Sequence, residues 1–192
     1  STVFISDAGD NPTAGAPGDL PLFTARLLEH GVDSAVVAAI PDAESLERCW
    51  VAGVGSEVAL NLGGKLDPNH GGAIQVTGQV TGLFPDADTA GRQSTVAVGG
   101  TTVIITERRK PFTEVTDFEQ VGVDPLSFKI VVVKLGYLFP DLLRVAPKAL
   151  MALSPGASDL DLVRLGHQHV KRPIYPLDVD MEWGVDRNAH GM

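Results

Sequence analysis

Residues 35–40 (Ala-Val-Val-Ala-Ala-Ile) and 130–133 (Ile-Val-Val-Val) are apolar without interruption. A strand with one wet face alternates, whereas a strand that is apolar at every position has both faces covered. Such runs demand a parallel sheet with helices on both sides, and they restrict the chain to a layered α/β fold. The flanking segments agree. Leu20, Phe23, Leu27 and Leu28 recur at helical spacing. Asp19 is placed to cap that helix, Pro21 is tolerable in its first turn, and His30-Gly31 end it. Pro41-Asp42 open a second helix with Leu46, Cys49 and Trp50 inward, and Gly53 and Gly55 terminate it. With residues 3–5 as a first strand, the first 55 residues read β-loop-α-β-α.

From residue 57 the pattern changes. Segments 57–62, 73–83, 94–98 and 102–106 alternate or are β-branched, and Gly99-Gly100 reads as a two-residue hairpin turn. Residues 56–106 are therefore expected as an antiparallel β subdomain inserted into an α/β layer built from 1–55 and 107–178. Beyond it, 112–120 reads as a weak helix anchored by Phe118 and 138–145 as a short helix with Pro140 in its first turn. Residues 149–153 read as a strand broken by Ser154-Pro155-Gly156, and 159–165 as one or two helical turns. An extended arm is expected from His169, with a mobile tail over 179–192. The expected fold is α/β, a mostly parallel sheet flanked by helices with an antiparallel insertion.

Composition narrows the function. The formal net charge is −9, which argues against nucleic acid as a partner, because a phosphate backbone needs a basic surface. No apolar run approaches the roughly 18 residues that span a bilayer, so no membrane partner is expected. One cysteine, Cys49, leaves no internal disulfide and suits a reducing, cytoplasmic setting; on the apolar side of a helix it reads as a buried, inert thiol. The chain opens on Ser1 and reaches its first strand at once, so it is expected to be a domain cut from a longer polypeptide.

The candidate site is the loop after the first strand, Ser6-Asp7-Ala8-Gly9-Asp10-Asn11-Pro12-Thr13-Ala14-Gly15-Ala16-Pro17-Gly18-Asp19. In an open α/β sheet, loops at the carboxyl ends of strands hold ligands. Asp10, Asn11, Gly15, Gly18 and Asp19 supply polar groups and close backbone approach. The spacing matches neither phosphate-binding glycine motif, and its carboxylates repel phosphate. Lys134 ends an apolar strand at the same expected sheet edge, with Tyr137 three residues on; its amine suits a substrate carboxylate or a snorkelling surface charge. His167 and His169 sit two apart on a basic segment without a third ligand, His70 lies in a Gly-flanked loop, His190 lies in the tail, and Ser154 has no nucleophile-elbow sequence. No catalytic residue and no metal ligand set is evident. From the residues alone, an accessory cleft domain, a non-enzymatic binding module for a small anion and a scaffold all stay open.

Several segments, taken in order, resemble one family. They are Asp10-Asn11-Pro12 with Gly15-Ala16-Pro17-Gly18-Asp19; Val54-Gly55; Leu62-Gly63-Gly64-Lys65; Arg108-Arg109 before Pro111-Phe112; Gly122-Val123-Asp124-Pro125; Ile130-Val131-Val132-Val133-Lys134; and Arg172-Pro173-Ile174-Tyr175-Pro176-Leu177-Asp178. Together they resemble the C-terminal domain of the MlrC-like (microcystinase) zinc metallopeptidases. The resemblance implies a parent protein that hydrolyses a peptide or amide with metal-activated water. It places the zinc and its ligands in an N-terminal domain absent from this chain, and it implies that this domain is inactive alone. That zinc domain and a small peptide or amide substrate are the implied partners. The Asp10-Asn11-Pro12 loop would face the cleft, with Lys134 as its companion. One segment departs: many members follow the Lys134 strand with a Ser and then His-Phe-Arg, where this chain has Leu135-Gly136-Tyr137-Leu138-Phe139-Pro140. The family's name therefore does not carry over as a substrate identity.

Overall fold

The computed structural model describes residues 1–67, 69–85, 89–182 and 184. The chain divides into two units, Ser1–Leu160 and Asp161–Met192. The first holds one eight-stranded sheet in the order β3-β4-β5-β6-β2-β7-β1-β8. Its strands are β1 (Val3–Asp7), β2 (Ala35–Pro41), β3 (Glu57–Leu62), β4 (Ile74–Phe84), β5 (Gln93–Val98), β6 (Thr101–Thr106), β7 (Ile130–Val133) and β8 (Lys148–Ala152). The helices are α1 (Leu22–Glu29), α2 (Ala43–Ala52), α3 (Val115–Glu119) and α4 (Pro140–Val145).

The unbroken apolar runs lie where their composition requires. Every residue of β2 is buried. Its side chains divide between two cores: Ala35 and Val37 share one with Leu27 of α1 and Leu46 and Cys49 of α2, while Val36 and Ala38 share the other with Phe118 of α3 and Leu142 of α4. Strands β6, β2, β7, β1 and β8 run parallel. The segment 56–106 supplies β3 to β6, which pair antiparallel. β6 joins the two halves, antiparallel to β5 and parallel to β2, so this segment extends the sheet instead of forming a layer of its own.

One local expectation differs. Asp19 does not cap α1: Pro21 holds the N-cap position without a side-chain cap, and Asp19 binds elsewhere. Of the one or two helical turns expected over 159–165 there is a single turn, closed by Leu165 N–H to the Asp161 carbonyl. Within the second unit, Arg172 pairs with Asp178, and the Asp178 carboxylate also accepts from the Ile174 N–H. This pairing holds Asp178 at about 2. Most of the tail from 179, with His190, lies outside the described residues.

Topology singles out one place. From β1 the chain crosses β7 to reach β2, and from β7 it crosses β1 to reach β8. Neighbouring strands β1 and β7 therefore send their carboxyl-end loops in opposite directions, which opens a crevice above them.

Candidate functional site

The loop after β1 and Lys134, the residue after β7, meet at this switch point. Lys134 Nζ lies 2.8 Å from Asp10 Oδ2, 3.3 Å from Asp7 Oδ2 and 2.7 Å from the Leu20 carbonyl oxygen. An ammonium has three donors, and here each has an acceptor within the chain. The amine is 2% exposed and Asp10 1%. The expected sheet edge is thus the right one, but the amine is turned down into the loop. Unpaired, any of these charges would be costly to bury; together they form a satisfied network.

That network shapes the loop. Asp10 accepts from the N–H groups of Gly18 and Leu20, both at 2.7 Å, which folds residues 11–20 back over its carboxylate. Gly18 has φ +82, and a Cβ there would meet Pro12 Cγ at 2.7 Å, so glycine is needed for the return. Asn11 shapes the tip: its Oδ1 accepts from Thr13 N–H at 2.9 Å and Thr13 Oγ1 at 2.7 Å. Thr13, Ala14 and Gly15 form the exposed rim. Arg109 reaches this rim from the segment after β6, donating from Nη1 to the carbonyls of Ala16 (3.2 Å) and Gly15 (3.4 Å).

Asp19 is fully buried and serves the neighbouring corner. Its Oδ2 accepts from the N–H groups of Lys65 (2.7 Å) and Leu66 (2.6 Å). Beside it, Asp42 accepts from Ser45 N–H and Gly63 N–H, and Lys65 Nζ sits 2.8 Å from its Oδ1. Burial pushes the Asp42 carboxyl up, but Lys65 and the Ser45 and Gly63 donors together hold it below the usual carboxylate range.

Of the six expected binding residues, the structure therefore joins Asp10, Gly18 and Lys134 directly. Asn11 and Gly15 lie on the loop they hold, and Asp19 ties that loop to the turn after β3. Sequence reasoning missed the lower half of the network. Ser154 donates to Asp7 Oδ1 and accepts from Gly9 N–H at 3.0 Å. Ser158 accepts from Asn11 N–H at 2.8 Å and donates to the Ala8 carbonyl at 2.9 Å. Gly9 and Gly156 let these two loops touch, since a Cβ on either would fall 2.0 Å from the other loop's carbonyl oxygen. No local motif marks serines that act across about 150 positions.

A zinc site takes at least three protein ligands. Among the described residues no three His, Cys, Asp or Glu side chains stand together to hold a metal ion. Asp67 and His70 pair at 2.8 Å without a third member, and the acidic groups at the loop are engaged by Lys134, Ser154 and backbone N–H groups. The described residues therefore offer no ligand set for the metal, whose ligands the resemblance assigns to another domain. Cys49 is buried in the core, and burial pushes its thiol up, away from reactivity.

Comparison with known proteins finds relatives of this chain. Microcystinase C from Sphingomonas sp. is 27% identical over 140 residues, which cover 69% of this chain and 28% of that protein. A 2.13 Å crystal structure of a protein provisionally classed as a metallopeptidase, from Mesorhizobium sp. BNC1, shares the fold with a TM-score of 0.79 at 21% identity. The match covers 95% of this chain and 39% of that one. This chain thus spans well under half the length of either relative. Among the described residues no helix is long and apolar enough to cross a membrane. The family model for the MlrC C-terminus matches residues 5–169, and the chain belongs to that family.

Proposed function

We propose that this chain is the substrate-cleft domain of a longer, cytoplasmic, metal-dependent peptide or amide hydrolase, whose zinc and its ligands reside in a preceding N-terminal domain. The observation that carries this reading is the pinned loop at the switch point. Three buried ionic groups and two serines hold an exposed rim, Thr13 to Gly15, at the carboxyl edge of the sheet. A loop fixed this firmly suits a surface that must meet a substrate in one geometry. In this reading Gly15 lies on the substrate face, Asn11 and Gly18 set its curvature, and Asp10, Asp19 and Lys134, buried beneath, serve substrate only by holding that face in place. The relatives' names, a microcystinase and a metallopeptidase-class protein, point to hydrolysis of amide bonds. The single, buried thiol suits a reducing compartment.

The test is a bulky substitution on the rim, Ala14→Trp, in the full product of the gene. Ala14 is exposed, so stability should hold. The expected result is a fall in kcat/KM for peptide hydrolysis of about tenfold or more with unchanged thermal midpoint. Full activity in that variant would remove the loop from the cleft.

A further inference from the structure

Acidic residues outnumber Lys and Arg in this chain by 24 to 15, so carboxylates to pair with an arginine are plentiful. Arg26, Arg48, Arg92, Arg144, Arg164 and Arg172 each stand beside one. Arg109 does not. Among the described residues its hydrogen bonds are the two from Nη1 to the carbonyls of Gly15 and Ala16, on the loop after β1. The acidic groups around it are already engaged. Glu107, two positions earlier, is held by Arg92 at 2.8 Å, and Asp10, beneath the loop, is held by Lys134 at 2.8 Å. The guanidinium is exposed. It stands after β6, and the sheet order β6-β2-β7-β1 puts two strands between it and the strand from which the loop springs. Loop and arginine thus meet across the carboxyl ends of β2 and β7, at the mouth of the switch-point crevice.

Donor counting shows what this arginine offers. A guanidinium carries five N–H groups and accepts nothing. The two on Nη1 are directed at the Gly15 and Ala16 carbonyls. Those on Nε and Nη2 remain, and together they form the edge of the fork that meets a carboxylate with two parallel bonds. The carbonyl contacts hold the plane of the group against a loop that is itself pinned from below, so little freedom is lost when an anion arrives. We infer that Arg109 is the carboxylate anchor of the cleft, and that the substrates are short peptides presenting a carboxylate to it. That carboxylate is the peptide's free terminus or an acidic side chain; the chemistry at the fork is the same. Arg109 sets specificity and leaves the bond-breaking to other groups. The inference rests on the reading of this chain as the substrate-cleft domain of a longer hydrolase.

The test uses the full product of the gene and tetrapeptide mixtures randomised over neutral residues. The mixtures are made as free acids, as C-terminal amides, and as amides carrying one glutamate. Cleavage is followed by mass spectrometry, and retention of the same mixtures on immobilised protein reports binding. The expected result is cleavage of one carboxylate form about tenfold or more faster than the neutral amides, with the difference in KM. Preference for the free acids assigns the anchor to the peptide terminus, and preference for the glutamate amides assigns it to a side chain. Arg109→Gln should erase the preference while leaving the neutral amides and the thermal midpoint unchanged, and Arg109→Lys should restore only part of it, because the fork is lost. Equal cleavage of all three mixtures by the wild type would overturn the inference. So would an Arg109→Gln loss that falls equally on the neutral amides, since the arginine would then only prop the rim. The two readings fail separately. Hydrolysis without carboxylate preference removes the anchor and leaves the hydrolase. Carboxylate-dependent retention, lost in Arg109→Gln, by a protein that hydrolyses none of the mixtures removes the hydrolase and keeps the anchor. Neither cleavage nor retention removes both.

Discussion

Replacing Lys134 by Met tests the site's electrostatics directly. The methionine roughly fills the volume of the lysine stem but carries no charge. Asp7 and Asp10, both buried, would lose their shared cation, and the Leu20 carbonyl would lose its donor. Removing one partner of a buried ion pair costs about 3–5 kcal/mol, because the other charge stays in place uncompensated. Asp10 keeps its two backbone donors and Asp7 keeps Ser154, so the cost belongs within that range and not above it. At about 2–4 °C per kcal/mol for a chain of this size, the thermal midpoint should drop by roughly 6–20 °C. Differential scanning calorimetry with urea unfolding at pH 7 measures it. The paired variant Asp10→Asn with Lys134→Met should recover part of the loss, with a coupling of about 0.5–3 kcal/mol. A Lys134→Met protein within about 1 kcal/mol of wild type would refute the reasoning. It would mean that Lys134 is free for substrate, as its strand-end position first suggests.

Other substitutions probe the same loop from different sides. Ser154→Ala leaves Gly9 N–H unpartnered and strips Asp7 of a donor, and should cost about 1–3 kcal/mol in urea unfolding. Gly9→Ala places a methyl 2.0 Å from the Ser154 carbonyl oxygen, a backbone contact that cannot rotate away, and should cost about 1–3 kcal/mol or more, read as a lowered thermal midpoint. Asp42 has a folded pKa held below its unfolded value, so its contribution to stability is present at neutral pH and is lost as pH falls through the folded value. The stability gap between wild type and Asp42→Asn, followed by unfolding at stepped pH, should therefore be widest near pH 7 and close below about pH 4.

Much of the fold was legible because burial on two faces leaves a simple mark. The unbroken runs in β2 and β7, the alternation of β3 and the Gly99-Gly100 turn all follow from which side of a strand meets water. Helix α2 begins at Asp42 for a local reason too, its carboxylate capping Ser45 N–H. Asp19 looked equivalent, since it precedes an amphipathic stretch. Its carboxylate instead satisfies backbone N–H groups 46 and 47 positions away, a choice that depends on where β3 ends. The same holds for the site. Asp10 and Lys134 were visible as polar residues at strand ends, but their contact follows from strand order, which places β1 beside β7. Ser154 and Ser158 carried no signal, because β8 first brings them under the loop. At 162–165 the short run gives the lesser of the two lengths expected, a single turn, because so few residues bury too little surface to extend it.

The central claim is that this domain holds one wall of a cleft whose metal lies elsewhere in the same polypeptide. Zinc content and peptide hydrolysis, measured side by side on the 192-residue chain and on the full product of its gene, test it most directly. The account predicts stoichiometric zinc and hydrolysis in the longer protein and neither in the shorter. Stoichiometric zinc bound by the 192-residue chain itself would contradict it, and would return Asp67, His70, His167, His169 and the loop carboxylates to consideration as ligands.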